Sequence, residues 1–190
     1  MKLLSLKILF IAALCFGIYP NNTKDSFSET TEKKVKWMSI EEAVLAAERD
    51  KAQGKQPKKV FIDVYTDWCG WCKKMDKDTF EHPEISAYLN QNFYPVKLNA
   101  EQREEIVFQN YSFKYVPKGR RGYHEFAASL MEGKMSYPTV VFLSEDYKIL
   151  QRIPGYLDVK SFDMIMKFFA EEHFEETSWD DFRENYKSDF

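Results

Sequence analysis

Cys69 and Cys72 stand three positions apart in Trp68-Cys69-Gly70-Trp71-Cys72, directly after the apolar run Val60-Phe61-Ile62-Asp63-Val64-Tyr65. A short, continuous apolar run rich in β-branched residues predicts a central strand buried on both faces. A Cys-x-x-Cys at the exit of such a strand, opening a helix, constrains fold and chemistry together. The positive end of the helix dipole favours a thiolate on the first cysteine. One helical turn brings the second sulfur back beside the first, within reach of a disulfide. Such a dithiol can trade a disulfide by thiolate attack and resolve the mixed disulfide with its own partner. The competing readings of the pair are an inert structural disulfide or half of a zinc site. Zinc would need two more ligands, and the candidates are His82, His124 and His173.

Apart from these two, the chain has only Cys15, so packing rather than a disulfide framework has to stabilise it. The 16 Phe, 11 Tyr and 4 Trp among 190 residues supply the apolar volume for one domain with a substantial core. The net charge of −3 gives no reason to expect a nucleic-acid partner. At the N-terminus, Lys2 and Lys7 precede the apolar stretch Ile8 to Ile18, and Pro20 closes it. That pattern reads as a secretory signal over residues 1–20, followed by a polar linker over 21–35. Cys15 is an alternative lipid anchor, although Leu14 before it is large for that role. Export would place the cysteine pair where disulfide exchange is a working chemistry.

Ser39-Ile40-Glu41-Glu42 is a capping box that predicts a helix from Ile40 to about Ala52, with Ala43, Val44, Ala46 and Ala47 inward. Lys59–Tyr65 is the first strand, and a helix from the cysteines runs past Met75 and Thr79 until His82-Pro83 interrupts it. A turn or two of helix through Ile85 and Leu89 leads to a strand from Phe93 to Leu98. Tyr137 to Leu143 and Lys148 to Ile153 are further strands around a Ser144-Glu145-Asp146 turn. Asp158 caps a helix through about Phe169, with Phe162, Ile165, Met166 and Phe169 on its apolar face. This order predicts an α/β layer structure, a mixed sheet with helices on both faces.

The segment Asp63 to Cys72 resembles the thioredoxin active-site segment, and Tyr137-Pro138-Thr139 resembles that family's cis-proline loop. The run from Asp67 through Phe80 is similar to the periplasmic thioredoxin-like domain of transmembrane thiol:disulfide interchange reductases and to small secreted bacterial thioredoxin-like proteins. The resemblance covers roughly Trp37 to Phe169 and implies a thioredoxin fold over residues 36–170. It implies a thiol–disulfide oxidoreductase with no cofactor beyond the Cys69–Cys72 disulfide, Cys69 as an exposed nucleophile and Cys72 as the buried resolving thiol. Asp63 would lie under the site and relay a proton, with Lys97 beside it. Pro138 would be cis and leave the Tyr137 backbone free to pair with an extended substrate. Trp68, Gly70, Trp71 and Tyr137 would line the approach to Cys69, with core packing as the plainer role for Trp68. Gly70-Trp71 carries no charge to stabilise a thiolate, which implies a reducing poise. Asp76 is either a second carboxylate near the thiols or a solvated helix position. Implied partners are disulfide-bearing proteins and a membrane thiol reductase as electron donor. A disulfide donor or isomerase, and a client-binding module with little turnover, remain as alternatives.

Between Asn99 and Tyr137 the chain is longer than the thioredoxin pattern requires. Glu105–Gln109 and Phe113–Val116 predict an added hairpin, Lys118-Gly119-Arg120-Arg121-Gly122 a basic loop, and Tyr123 to about Glu132 a helix ended by Gly133. This insertion, about 101–122, either thickens one edge or forms a wall of the substrate groove. The extension 171–190 predicts a short helix after a Ser178/Asp181 cap, with Trp179, Phe182 and Tyr186 against the domain.

Overall fold

The computed structural model describes residues 34–188, so the predicted signal, Cys15 and most of the linker lie outside the described residues. Helix α1 (Ile40–Ala52) begins where its capping box predicts: the Glu42 N–H donates to Ser39 Oγ at 3.2 Å, and the Ser39 N–H donates to Glu42 Oε2 at 2.8 Å. Strand β1 (Lys59–Tyr65) leads into α2 (Gly70–Met75), a π-helical turn (Asp76–Phe80), α3 (Pro83–Asn92) and β2 (Phe93–Asn99). After an inserted region come β7 (Thr139–Leu143), β8 (Ile149–Pro154) and α5 (Val159–Ala170). The main sheet has the order β2-β1-β7-β8, with β1 parallel to β2 and antiparallel to β7, which is in turn antiparallel to β8.

Strand β1 sits inside this sheet and is buried on both faces, which is why its sequence is apolar without alternation. The strand period still divides its side chains. Val60, Ile62 and Val64 enter a core with Ile40, Ala43 and Ala47 of α1 and the buried residues of the insertion. Phe61 points to the opposite core, with Met75, Phe80, Ile85, Leu89 and the apolar face of α5. Asp63 shares that parity, so its carboxylate enters the layer that carries the cysteine helix. Phe61 is fully buried and touches the rings of Trp37, Phe80, Phe93, Phe142 and Phe162 at centroid distances of 5.2–6.4 Å.

The structure departs from the sequence reading in three places. The helix after the cysteines is not uniform: its second half is the π turn, which buries Thr79 and lets Thr79 Oγ1 donate to the Leu157 carbonyl at 2.7 Å. The expected turn or two around Ile85 is a full ten-residue helix. The insertion holds two hairpins rather than a hairpin and a basic loop. Strands β3 (Ile106–Phe108) and β4 (Tyr111–Phe113) join through Gln109-Asn110, both at positive φ, the geometry a two-residue hairpin demands. Strands β5 (Tyr115–Lys118) and β6 (Arg121–His124) join through Gly119-Arg120. Because β6 claims Tyr123 and His124, helix α4 is shortened to Glu125–Leu130.

His124, considered above only as a zinc ligand, is fully buried and builds the insertion. Its Nδ1 accepts from the Phe126 N–H at 3.2 Å and caps α4, while its Nε2 lies 3.0 Å from the Glu104 carbonyl. Burial lowers its pKa, so the ring is neutral with Nε2 as donor. At the C-terminus, α6 (His173–Glu176) and α7 (Trp179–Asn185) follow α5, and Trp179 and Phe182 pack on Phe168 at 5.2 and 5.0 Å. The Tyr186 hydroxyl donates to the buried Asp163 carboxylate and ties the tail down. Among the described residues no helix is long and apolar enough to cross a membrane.

Replacing the ring at the centre of this aromatic layer tests the packing account. Phe61→Ala should lower the free energy of unfolding by about 3–5 kcal/mol in urea denaturation. A loss below about 1 kcal/mol would show that the layer does not depend on Phe61.

Candidate active site

Cys69 is the N-cap of α2, and its side chain turns back over the first helical turn. The Cys72 N–H donates to Cys69 Sγ at 3.1 Å, and the two sulfurs are joined in a disulfide with Cα atoms 5.3 Å apart. The Cys69 N–H in turn donates to the Thr66 carbonyl at 3.1 Å, fixing the bend between β1 and the helix. The expectation of an exposed first sulfur is not met in this closed state: Cys69 is 5% exposed and Cys72 3%. The cap geometry accounts for this, because it points Cys69 Sγ at its own helix rather than at solvent. Once the disulfide opens, the same helix end favours a thiolate at Cys69.

On the sheet face that carries the cysteine helix, parallel pairing sets Asp63 on β1 directly against Lys97 on β2. Lys97 Nζ donates to Asp63 Oδ2 at 2.5 Å and to the Asp76 carboxylate as well. Asp76 is the first residue of the π turn, four residues after Cys72, so it is neither idle nor simply solvated: it holds the outer side of Lys97. The rings of Trp37, Tyr65 and Phe80 surround the ammonium at 4.8, 5.0 and 5.5 Å, a cation–π enclosure. Lys97 is therefore no surface lysine. Burial works against its charge, but Asp63 and Asp76 overcome this and raise its pKa.

Asp63 is 1% exposed. Burial pushes its carboxyl up to about 6, against the opposing pull of Lys97. Among the described residues, Oδ1 of Asp63 has no hydrogen-bond partner, whereas Oδ2 is taken by Lys97. One oxygen is thus anchored and the other is open to a proton.

Beside the disulfide, the β1–β7 pairing ends at Val64–Thr139, which brings the cis Tyr137-Pro138 bond next to the chain's exit toward Cys69. The Pro138 carbonyl accepts from Gly155 N–H at 2.8 Å. Trp68 meets Tyr137 edge-on at 5.9 Å, and Trp71 meets Tyr156 at 5.5 Å. Trp68 is 50% exposed and Trp71 60%, so the core role considered for Trp68 is excluded and both indoles form a rim. Gly70 is exposed and would tolerate a Cβ without contact.

The sequence reading missed how closely the insertion joins this rim. Trp68 Nε1 donates to Glu101 Oε1 at 3.0 Å, and the Arg121 guanidinium lies 4.4 Å over the Trp68 ring. A groove of about 560 Å3 runs between Trp68 and Tyr137 on one side and Lys118, Arg121, Gly122 and Met135 on the other. The basic run Lys118–Arg121 was the available signal, but no local pattern shows which way a hairpin folds.

A sequence profile described as a thioredoxin-like domain matches residues 45–170, and the chain belongs to that family. Among curated relatives, it is 37% identical over 57 residues to spermatogenesis-associated protein 20 of Rattus norvegicus, covering 30% of this chain and 7% of the relative. It is 31% identical over 88 residues to the thiol:disulfide interchange protein DsbD of Haemophilus ducreyi, covering 45% and 15%. The chain therefore spans only a small part of the curated relatives it matches. Among solved structures, a thioredoxin-fold protein from Helicobacter pylori superposes with a TM-score of 0.52 at 20% identity, covering 65% of this chain and 76% of that one, which supports the fold.

The raised carboxyl gives a stability signature. Asp63 binds its proton more tightly in the folded chain, at about 6, than in the unfolded one, at 3.8, so it favours folding at low pH and loses that contribution as pH rises through about 6. Measured in the oxidised state, unfolding free energy of the wild type relative to Asp63→Asn should fall by about 2–3 kcal/mol from below pH 4 to pH 7. A flat difference across that window would contradict the buried, raised carboxyl.

Proposed function

We propose that this protein is a thiol–disulfide oxidoreductase that reduces disulfides of protein substrates outside the cytoplasm. The observation that carries the reading is the Cys69–Cys72 disulfide at the start of a helix; a buried carboxylate, Asp63, anchored by Lys97 on the sheet face that carries this helix, supports it. In the reduced protein, the Cys69 thiolate attacks one sulfur of a substrate disulfide. A Cys69–substrate bond forms, the substrate S–S bond breaks, and the first substrate thiolate leaves and takes up a proton. Cys72 then gives its proton to the open Oδ1 of Asp63 and attacks Cys69 Sγ. The bond between Cys69 and the substrate breaks, the second substrate sulfur departs as a thiolate and takes up a proton, the enzyme disulfide closes, and two electrons have passed to the substrate. A carboxyl with a pKa of about 6 is suited to holding that proton transiently near neutral pH.

The direction follows from what lies between the cysteines. Gly70-Trp71 supplies no positive charge to favour the dithiol form, so the pair gives up its electrons readily. Similarity to a protein named for thiol:disulfide interchange supports exchange with protein disulfides. The apolar stretch behind Lys2 and Lys7 supports export, and a membrane thiol reductase would return the electrons.

Insulin reduction with dithiothreitol tests the activity: Cys69→Ser should fall to the uncatalysed rate, and Cys72→Ser should accumulate a mixed disulfide with substrate. Equal rates for Cys69→Ser and wild type would end the enzyme reading. The direction is tested by the reduction potential, expected near that of thioredoxin at about −270 mV; a value near the strong periplasmic oxidants at about −120 mV would reverse it.

A further inference from the structure

The second hairpin of the insertion places charge beside the dithiol. Lys118, Arg120 and Arg121 are all exposed at or next to its turn, and Lys118 and Arg121 line the groove that ends at Trp68 and Tyr137. Among the described residues, none of the three has a carboxylate within ion-pair distance. The acid in the groove wall, Glu101, is engaged by the Trp68 indole N–H at 3.0 Å. The chain as a whole is acidic, at −3, so this is a basic island on a negative background.

The hairpin is held in place, not loosely appended. Arg121 stacks 4.4 Å over Trp68, and the buried His124 fastens the end of β6. A Cβ at Gly122 would lie 2.3 Å from the Val116 carbonyl oxygen and 2.4 Å from the Tyr115 ring, so the strands approach as closely as only glycine permits. The opposite wall ends at Tyr137, whose own N–H and carbonyl make no hydrogen bond among the described residues. An extended chain can pair there by β-addition.

We propose that the β5–β6 hairpin selects substrates, the groove taking an extended acidic segment that flanks the substrate disulfide. The backbone of that segment runs along Tyr137, and its carboxylates pair with Lys118, Arg120 and Arg121. This rests on the oxidoreductase reading for its biological meaning, but the surface is tested without turnover.

The probes are three fluorescent, cysteine-free peptides that differ only in acidic, neutral or basic flanks, titrated into the oxidised full chain by anisotropy. The acidic peptide should bind about ten-fold tighter than the neutral one at low salt, and the advantage should shrink to about two-fold at high salt. Arg120→Glu with Arg121→Glu should invert the order, and Lys118→Gln with Arg120→Gln should reduce it, each checked for a native circular dichroism spectrum. Equal binding of acidic and neutral peptides by wild type overturns the proposal, as does an acidic preference that survives both charge reversal and high salt. Insulin reduction is read in parallel. Turnover without a charge preference removes this inference and leaves the redox reading, whereas a charge preference without turnover does the opposite.

Discussion

The structure is organised around one electrostatic constraint: a carboxylate, Asp63, in a strand buried on both faces. An unpaired charge there would be costly. The sheet meets the cost by setting Lys97 opposite it on the parallel neighbour, and the π turn adds Asp76 on the outer side of the same ammonium. Three aromatic rings close the surround. Strand pairing, helix irregularity and aromatic packing near the site are all conditions for keeping this charge group in place.

The π turn connects that charge group to the chemistry. A regular α-helix from Gly70 onward and one with an extra residue in its second half would present Asp76, Thr79 and Phe80 at different angles. The observed one buries Thr79 against the Leu157 carbonyl and directs Asp76 to Lys97. Irregular turns of this kind cost helical regularity and occur frequently at functional sites. Here the turn follows directly on the helix that holds the disulfide, so the cysteine pair and Asp76, the outer partner of Lys97, are carried on consecutive helical turns.

The insertion plays the opposite part. It adds no residue to the carboxylate–lysine layer, yet it closes a groove against exposed Trp68 and half-buried Tyr137. Its own stability comes from a small aromatic cluster, Phe108 and Phe113 on Phe126, and from a neutral buried histidine that caps α4. The disulfide and the Asp63–Lys97 pair thus sit on the main sheet and its helix, while the shape and charge of the neighbouring groove are supplied by a separately buttressed hairpin.

The sequence alone determined the elements whose signals are local. The apolar run of β1 is a pattern within one short segment, and the Ser39–Glu42 box, the Asp158 and Ser178 caps and the Cys-x-x-Cys helix start rest on contacts within a few residues; all stand where their residues put them. Asp63 and Lys97 were legible as site candidates through the resemblance to thioredoxins, and a carboxylate in an apolar run was itself a warning. The tertiary structure alone decided the rest. Whether Asp76 faced water or Lys97, whether Trp68 entered the core or the rim, and where Arg121 pointed depended on pairings between residues far apart in the chain. The cysteines divide the same way: their spacing, the bend at Thr66 and the cap that turns Cys69 toward its own helix are contacts within three residues, whereas the burial of both is set by tertiary packing.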